Sequence, residues 1–144
     1  MKKKIKLFLV DDDAVFLKLL EIEFRQHTDT DIDIRTFATG ESCMENIGEC
    51  PDVIILDYHL DGIDKNSMNG IETLDKIKDF DAEIPVIILS SQDKIEVAVN
   101  CMHHKAFDYV VKSETAFFRL KKDIKSILGI KKMENELNWY MERM

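Results

Sequence analysis

The stretch Pro51-Asp52-Val53-Ile54-Ile55-Leu56-Asp57 constrains this chain more than any other. An apolar run rich in Ile and Val, ending abruptly in a carboxylate, reads as a strand buried on both faces, as in a parallel sheet. Asp57 then falls at the strand's C-terminal end, the edge where open α/β sheets place their ligand sites. An Asp there can also simply start a turn, so the other strand ends decide between the two.

Those ends come in order along the chain. Ile5 to Val10 is a strand followed by Asp11-Asp12-Asp13. Val15, Phe16, Leu19, Leu20, Glu23 and Phe24 trace a helical stripe, with Asp13 as N-cap. Ile32, Ile34 and Thr36 alternate with polar residues, the period of a strand. A short helix follows from Gly40 to Gly48, then the Val53 to Asp57 strand and a polar loop from Tyr58 to Asn69. Ile71, Leu74 and Ile77 predict a helix over Gly70 to Phe80. Pro85 to Leu89 is a second buried strand, ending in Ser90-Ser91. Lys94 to His104 is a helix, Phe107 to Val111 a strand ending in Lys112, and Glu114 to Leu128 a last helix. Alternating strands and helices imply right-handed crossovers and a doubly wound parallel sheet covered on both faces. Residues 1–128 form one domain on this reading, and 129–144, after Gly129, form a helical extension or linker.

Charge and composition narrow the function classes. A formal net charge of -8 over 144 residues argues against direct binding of nucleic acid or an anionic membrane. No stretch is long enough to span a bilayer. Met1-Lys2-Lys3-Lys4 imitates a signal peptide, but its apolar segment is short and runs into three aspartates. Cys43, Cys50 and Cys101 lack metal spacing, and an odd count without a secretion signal predicts reduced thiols in a cytoplasm.

The strand ends carry pointed chemistry. Asp11 and Asp12 follow the first strand, Asp57 the third, Ser90 the fourth and Lys112 the fifth. Crowded carboxylates raise one another's pKa. A divalent cation relieves this, and Mg²⁺ suits one or two direct carboxylates plus waters and a phosphate. A lysine supplies a point charge for remaining anionic oxygens, and a serine hydroxyl donates to one of them. The set suits phosphoryl transfer to a carboxylate, with Asp57 as nucleophile.

Leu9-Val10-Asp11-Asp12-Asp13, Leu56-Asp57, Leu89-Ser90-Ser91 and Asp108-Tyr109-Val110-Val111-Lys112 together resemble the receiver domain of bacterial two-component response regulators, over about residues 4 to 128. The resemblance implies a flavodoxin-like (βα)5 sheet of order 2-1-3-4-5. It implies that Asp57 accepts a phosphoryl group from a histidine kinase or phosphotransfer protein. Asp12 would ligate Mg²⁺ directly, Asp11 through a water, and the His59 backbone carbonyl would be a further ligand. Ser90 would be the switch hydroxyl, Lys112 the pairing lysine and Tyr109 the aromatic that changes rotamer. The fourth helix, fifth strand and fifth helix would be the switched surface. The only catalysis implied is on the protein itself.

The chain departs from that pattern in three places. Ser113 replaces the family's proline after Lys112, and a cis bond without proline costs about 3 kcal/mol, so a trans bond is expected. Lys105 replaces a glycine at the end of the fourth helix, which predicts a left-handed backbone. The loop from Leu60 to Asn69 is about five residues longer than the family pattern. Its oxygen-rich Asp61, Asp64, Asn66, Asn69 and Glu72 invite a calcium-loop reading, but Ile63, Lys65 and Asn66 fill positions needing ligands and a glycine. His103-His104 are adjacent on a helix and share no face, so they read as surface histidines. His59 is either an exposed loop residue or a neighbour of the phosphoryl group. Ser90 lacks the Gly-x-Ser-x-Gly elbow of a hydrolase, and no P-loop or GxGxxG supports a nucleotide site.

Ile130, Met133, Leu137, Tyr140 and Met144 are spaced 3, 4, 3 and 4, the rhythm of a coiled coil. It is short, and leaves open a homodimer, a helix packed on its own domain, or a linker helix. Two rivals stand beside the signalling receiver: a receiver-like module acting by constitutive contacts, and a Mg²⁺-dependent phosphohydrolase using Asp57. The haloacid-dehalogenase type of the latter wants an aspartate where His59 stands.

Overall fold

The computed structural model describes residues 4–27, 31–60 and 66–144. Five strands alternate with helices: β1 Ile5–Val10, α1 Ala14–Gln26, β2 Ile32–Phe37, α2 Gly40–Glu45, β3 Val53–Asp57, α3 Gly70–Phe80, β4 Val86–Ser90, α4 Ile95–His103, β5 Asp108–Val111 and α5 Ala116–Glu142. A 3₁₀ turn, Ile47–Glu49, continues α2. All pairings are parallel, in the order β2-β1-β3-β4-β5. This is the doubly wound (βα)5 sheet expected.

Every residue of β3 and β4 is buried, which explains their unbroken apolar runs. Side chains on a strand alternate between faces. Ile54, Leu56, Val86 and Ile88 therefore meet Cys43, Leu74, Ile77 and Cys101 on one side. Val53, Ile55, Ile87 and Leu89 meet Leu17, Leu20, Phe24, Leu120, Ile124 and Ile127 on the other. The stripe on α1 sits differently from the sequence reading. Leu17, Leu20 and Phe24 face the core, whereas Val15 and Leu19 are exposed. Asp13 explains the offset by fixing where the helix starts: its side chain accepts from both Val15 N and Phe16 N.

Backbone features follow the expected departures. No peptide bond among the described residues is cis, the Lys112–Ser113 bond included, and Lys105 has φ 72°. Cys50 is also left-handed, at φ 58°, ending the 3₁₀ turn before β3. Gly70, the first residue of α3, lies so close to the strand end that an added Cβ would come within 2.6 Å of the Asp57 carbonyl oxygen.

The predicted stop at Gly129 is not a break. α5 continues through it for 27 residues in all. A glycine costs a helix only about 1 kcal/mol, and Lys131 ties the next turn down. Its Nζ bonds the Asp52 carbonyl at 3.0 Å and the Asp52 carboxylate at 3.2 Å. Asp52 also accepts from Lys6 N at 2.8 Å, so one carboxylate joins β1, the start of β3 and the extension of α5. Beyond Lys131 the spaced residues Met133, Leu137 and Tyr140 are all exposed. The extension does not pack its stripe on its own domain.

Candidate functional site

The C-terminal ends of β1, β3, β4 and β5 bring the predicted residues to one sheet edge. β1 delivers Asp11, 3% exposed, and β3 delivers Asp57, 4% exposed. Asp12 completes a trio whose ligand oxygens lie within 4.8 Å of one another. Lys112, just past β5, places Nζ 2.9 Å from Asp11 Oδ2 and 3.5 Å from Asp57 Oδ1. The acidic turn is ordered from within: Asp13 N donates to Asp11 Oδ1 at 2.9 Å.

Burial, and next the neighbouring Asp11 charge, push the Asp57 carboxyl up to about 7, against the opposing pull of Lys112 and of a bond from the His59 N–H. Burial alone would lower the Lys112 pKa, but its hydrogen bond to Asp11 and the Asp57 charge prevail and hold it above the usual lysine value. One ammonium cannot neutralise three carboxylates. The donor set is all oxygen and crowded, the chemistry a small hard divalent cation satisfies. Asp11, Asp12 and Asp57 therefore fit such an ion, and they are the one group of this kind among the described residues.

Ser90, fully buried at the end of β4, accepts from Gln92 N at 3.1 Å. The Tyr109 hydroxyl donates to the Gln92 carbonyl at 2.6 Å. The His59 ring meets the Gln92 side-chain amide, Nε2 to Nε2 at 2.8 Å. Gln92 thus collects both switch candidates and the loop histidine, a convergence invisible in sequence because it depends on loop geometry. The sequence places Phe16 on the α1 stripe. Its ring also lies under the Lys112 ammonium, 4.5 Å from Nζ to centroid.

Other predicted sites resolve simply. His104 Nδ1 pairs with Asp75 at 2.7 Å, joining α4 to α3, while His103 is exposed. Among the described residues no serine–histidine pair forms at Ser90, whose hydroxyl accepts from the Gln92 N–H. Asp61, Ile63, Asp64 and Lys65 of the calcium-loop reading lie outside the described residues.

With this fold and this edge, the chain belongs to the response regulator receiver domain family, whose match covers residues 7–125. It is 34% identical over 118 residues to a protein-glutamate methylesterase/protein-glutamine glutaminase of Clostridium acetobutylicum, covering 80% of this chain and 32% of that protein. It is 34% identical over 86 residues to the regulatory protein LuxO of Vibrio cholerae, covering 59% of this chain and 18% of LuxO. The crystal structure of the signal receiver domain of a LuxO repressor from Vibrio parahaemolyticus superposes with a TM-score of 0.79 at 26% identity, covering 94% of this chain and 98% of that one. The chain spans a third or less of the length of the curated relatives it matches. No helix among the described residues is long and apolar enough to cross a membrane.

Proposed function

We propose that this chain is a phosphorylation-dependent receiver in two-component signalling. Asp57 is the acceptor, and a histidine kinase or phosphotransfer protein is the donor. The observation that carries the reading is the buried Asp57 carboxylate with the Lys112 ammonium 3.5 Å away and two further carboxylates beside it. An Asp57 oxygen attacks phosphorus, the bond from phosphorus to the donor imidazole nitrogen breaks, and that nitrogen leaves with a proton. Lys112 then pairs with a phosphoryl oxygen, and Ser90 turns its hydroxyl toward another. A turn of Ser90 away from Gln92 N disturbs the segment whose Gln92 carbonyl holds the Tyr109 hydroxyl, and through it the α4–β5–α5 surface. Mg²⁺ is the cofactor on this reading, held by Asp11, Asp12, Asp57 and the His59 carbonyl, and it supplies positive charge to the phosphoryl oxygens. Catalysis is confined to the chain's own phosphorylation and dephosphorylation, and the setting is cytoplasmic. The acidic charge leaves nucleic acid to other partners.

The test is intact mass after incubation with acetyl phosphate, with and without Mg²⁺. A single phosphoryl addition that needs Mg²⁺ and is lost in Asp57→Asn supports the reading. Undiminished labelling of that variant refutes it. Failure of the folded protein to label, with a kinase also failing, favours the constitutive interaction module.

The exposed stripe on the α5 extension favours a second element, homodimerisation through that helix. Sedimentation equilibrium tests it: a dimer that Leu137→Asp converts to monomer supports it, and a monomer at high concentration removes it.

A further inference from the structure

We infer that Phe16 is a positioning residue for Lys112, its ring holding the ammonium at the carboxylates. The contacts form a closed circuit. Asp13 N donates to Asp11 Oδ1 at 2.9 Å, and Asp13 Oδ1 accepts from Phe16 N at 3.1 Å. The Phe16 ring lies 4.5 Å from Lys112 Nζ, and Nζ returns to Asp11 Oδ2 at 2.9 Å. Asp13, which is not one of the acidic trio, thereby gains a role: it fixes the helix turn that aims the ring.

An aromatic ring carries negative charge on its face and attracts a cation within about 6 Å. Phe16 packs at the margin of the core that Leu17 and Leu20 enter and is only half-buried, so its ring also faces the site. The Lys112 side chain keeps 22% of its surface exposed, so solvent-facing rotamers compete with the site. The ring shifts that competition toward the pocket, where Nζ already stands within reach of whatever Asp57 carries. The inference rests on the reading of Asp57 as acceptor for its consequence, though not for its measurement.

Two binding constants move in opposite directions if it holds. Lys112 competes with a cation for Asp11, so releasing the ammonium tightens Mg²⁺ binding. Lys112 also anchors an anion on Asp57, so the same release weakens beryllofluoride binding in saturating Mg²⁺. The variants are Phe16→Leu, Phe16→Tyr, and 3,4,5-trifluorophenylalanine at position 16, which keeps the shape and drains the ring face of charge. Calorimetric titration should show Mg²⁺ binding tightened about 3- to 10-fold, and beryllofluoride weakened by a like factor, in the leucine and trifluoro proteins. Phe16→Tyr should retain both original values. Unchanged or weaker Mg²⁺ binding in the trifluoro protein overturns the inference, as does a trifluoro protein that matches phenylalanine while leucine does not. If the unaltered protein binds no beryllofluoride, the acceptor reading fails and the Mg²⁺ titration alone still decides the role of Phe16.

Discussion

Asp57→Asn should make the metal-free protein more stable, by an amount that grows as pH rises from about 4 to about 7. The Asp57 carboxyl rises from 3.8 to about 7 in the fold, chiefly through burial and then the Asp11 charge. A carboxyl raised on folding is protonated without cost at low pH. Its ionisation opposes folding as pH climbs from about 4 to about 7, and the whole cost is present above that. At about 1.4 kcal/mol per pKa unit the ceiling is about 4 kcal/mol. Relaxation and water entry at an edge that opens to solvent roughly halve this, to about 2 kcal/mol. Asparagine keeps the shape and removes the charge, and Lys112 keeps its 2.9 Å bond to Asp11. In a domain of this size the gain corresponds to roughly 4–8 °C in Tm. Thermal and urea unfolding at pH 8 and pH 5, each with chelator and with Mg²⁺, measures it. The variant should exceed the parent at pH 8 in chelator, and by clearly less at pH 5, where only part of the cost has accrued. Mg²⁺ should close the gap by stabilising the parent, by about 2.7 kcal/mol at a hundredfold excess over Kd. An equal gain at both pH values, or a variant less stable than the parent at pH 8, refutes the reasoning.

Asp123 offers a second pH test away from the site. Burial, then its bond to Asp108, pushes its carboxyl up to about 7, while Arg119 grips Asp108 at 2.6 Å. Asp123→Asn should be neutral at about pH 4 and stabilising by up to about 1 kcal/mol at pH 8, the value discounted for solvent access; a loss at pH 8 counts against a shared proton. Gly70→Ala drives a Cβ into the Asp57 and Tyr58 backbone, so it should cost about 2 kcal/mol by chemical denaturation and slow phosphoryl acceptance; full labelling at parental stability would disprove the close approach. Lys131→Ala removes the tie to Asp52 and should lower stability by under about 1 kcal/mol while raising amide exchange in α5 beyond Ile127; unchanged exchange would mean the helix holds without it.

The sheet was legible because its strands are buried on both faces, and such strands write themselves as Val53–Leu56 and Val86–Leu89. Each also ends in a chemically distinct residue, so Asp57, Ser90 and Lys112 could be placed on one edge from their position alone. Lys105 and the Ser113 bond were legible for a different reason: backbone sterics restrict them whatever the neighbours. What escaped depends on three-dimensional meeting. Nothing local marks Gln92 as the point where Ser90, Tyr109 and His59 converge, nor Phe16 as more than core. The α1 stripe was misplaced because Val15 and Leu19 are apolar yet exposed, and periodicity cannot tell a core face from a surface one. Gly129 misled because propensity is weak beside a tertiary tie from the next turn.

The unbroken α5 also has a mechanical meaning. From Lys131 the helix runs on for about 16 Å to Glu142 at 1.5 Å per residue. Its last tie to the sheet among the described residues is Lys131 on Asp52, which makes the extension a lever arm about that point. A tilt of about 10° about that tie, within the play of packed helices, would sweep the tip near Glu142 through about 3 Å. A rearrangement too small to remodel the domain's own surface would thereby become a displacement of about two residues' helical rise at the far end.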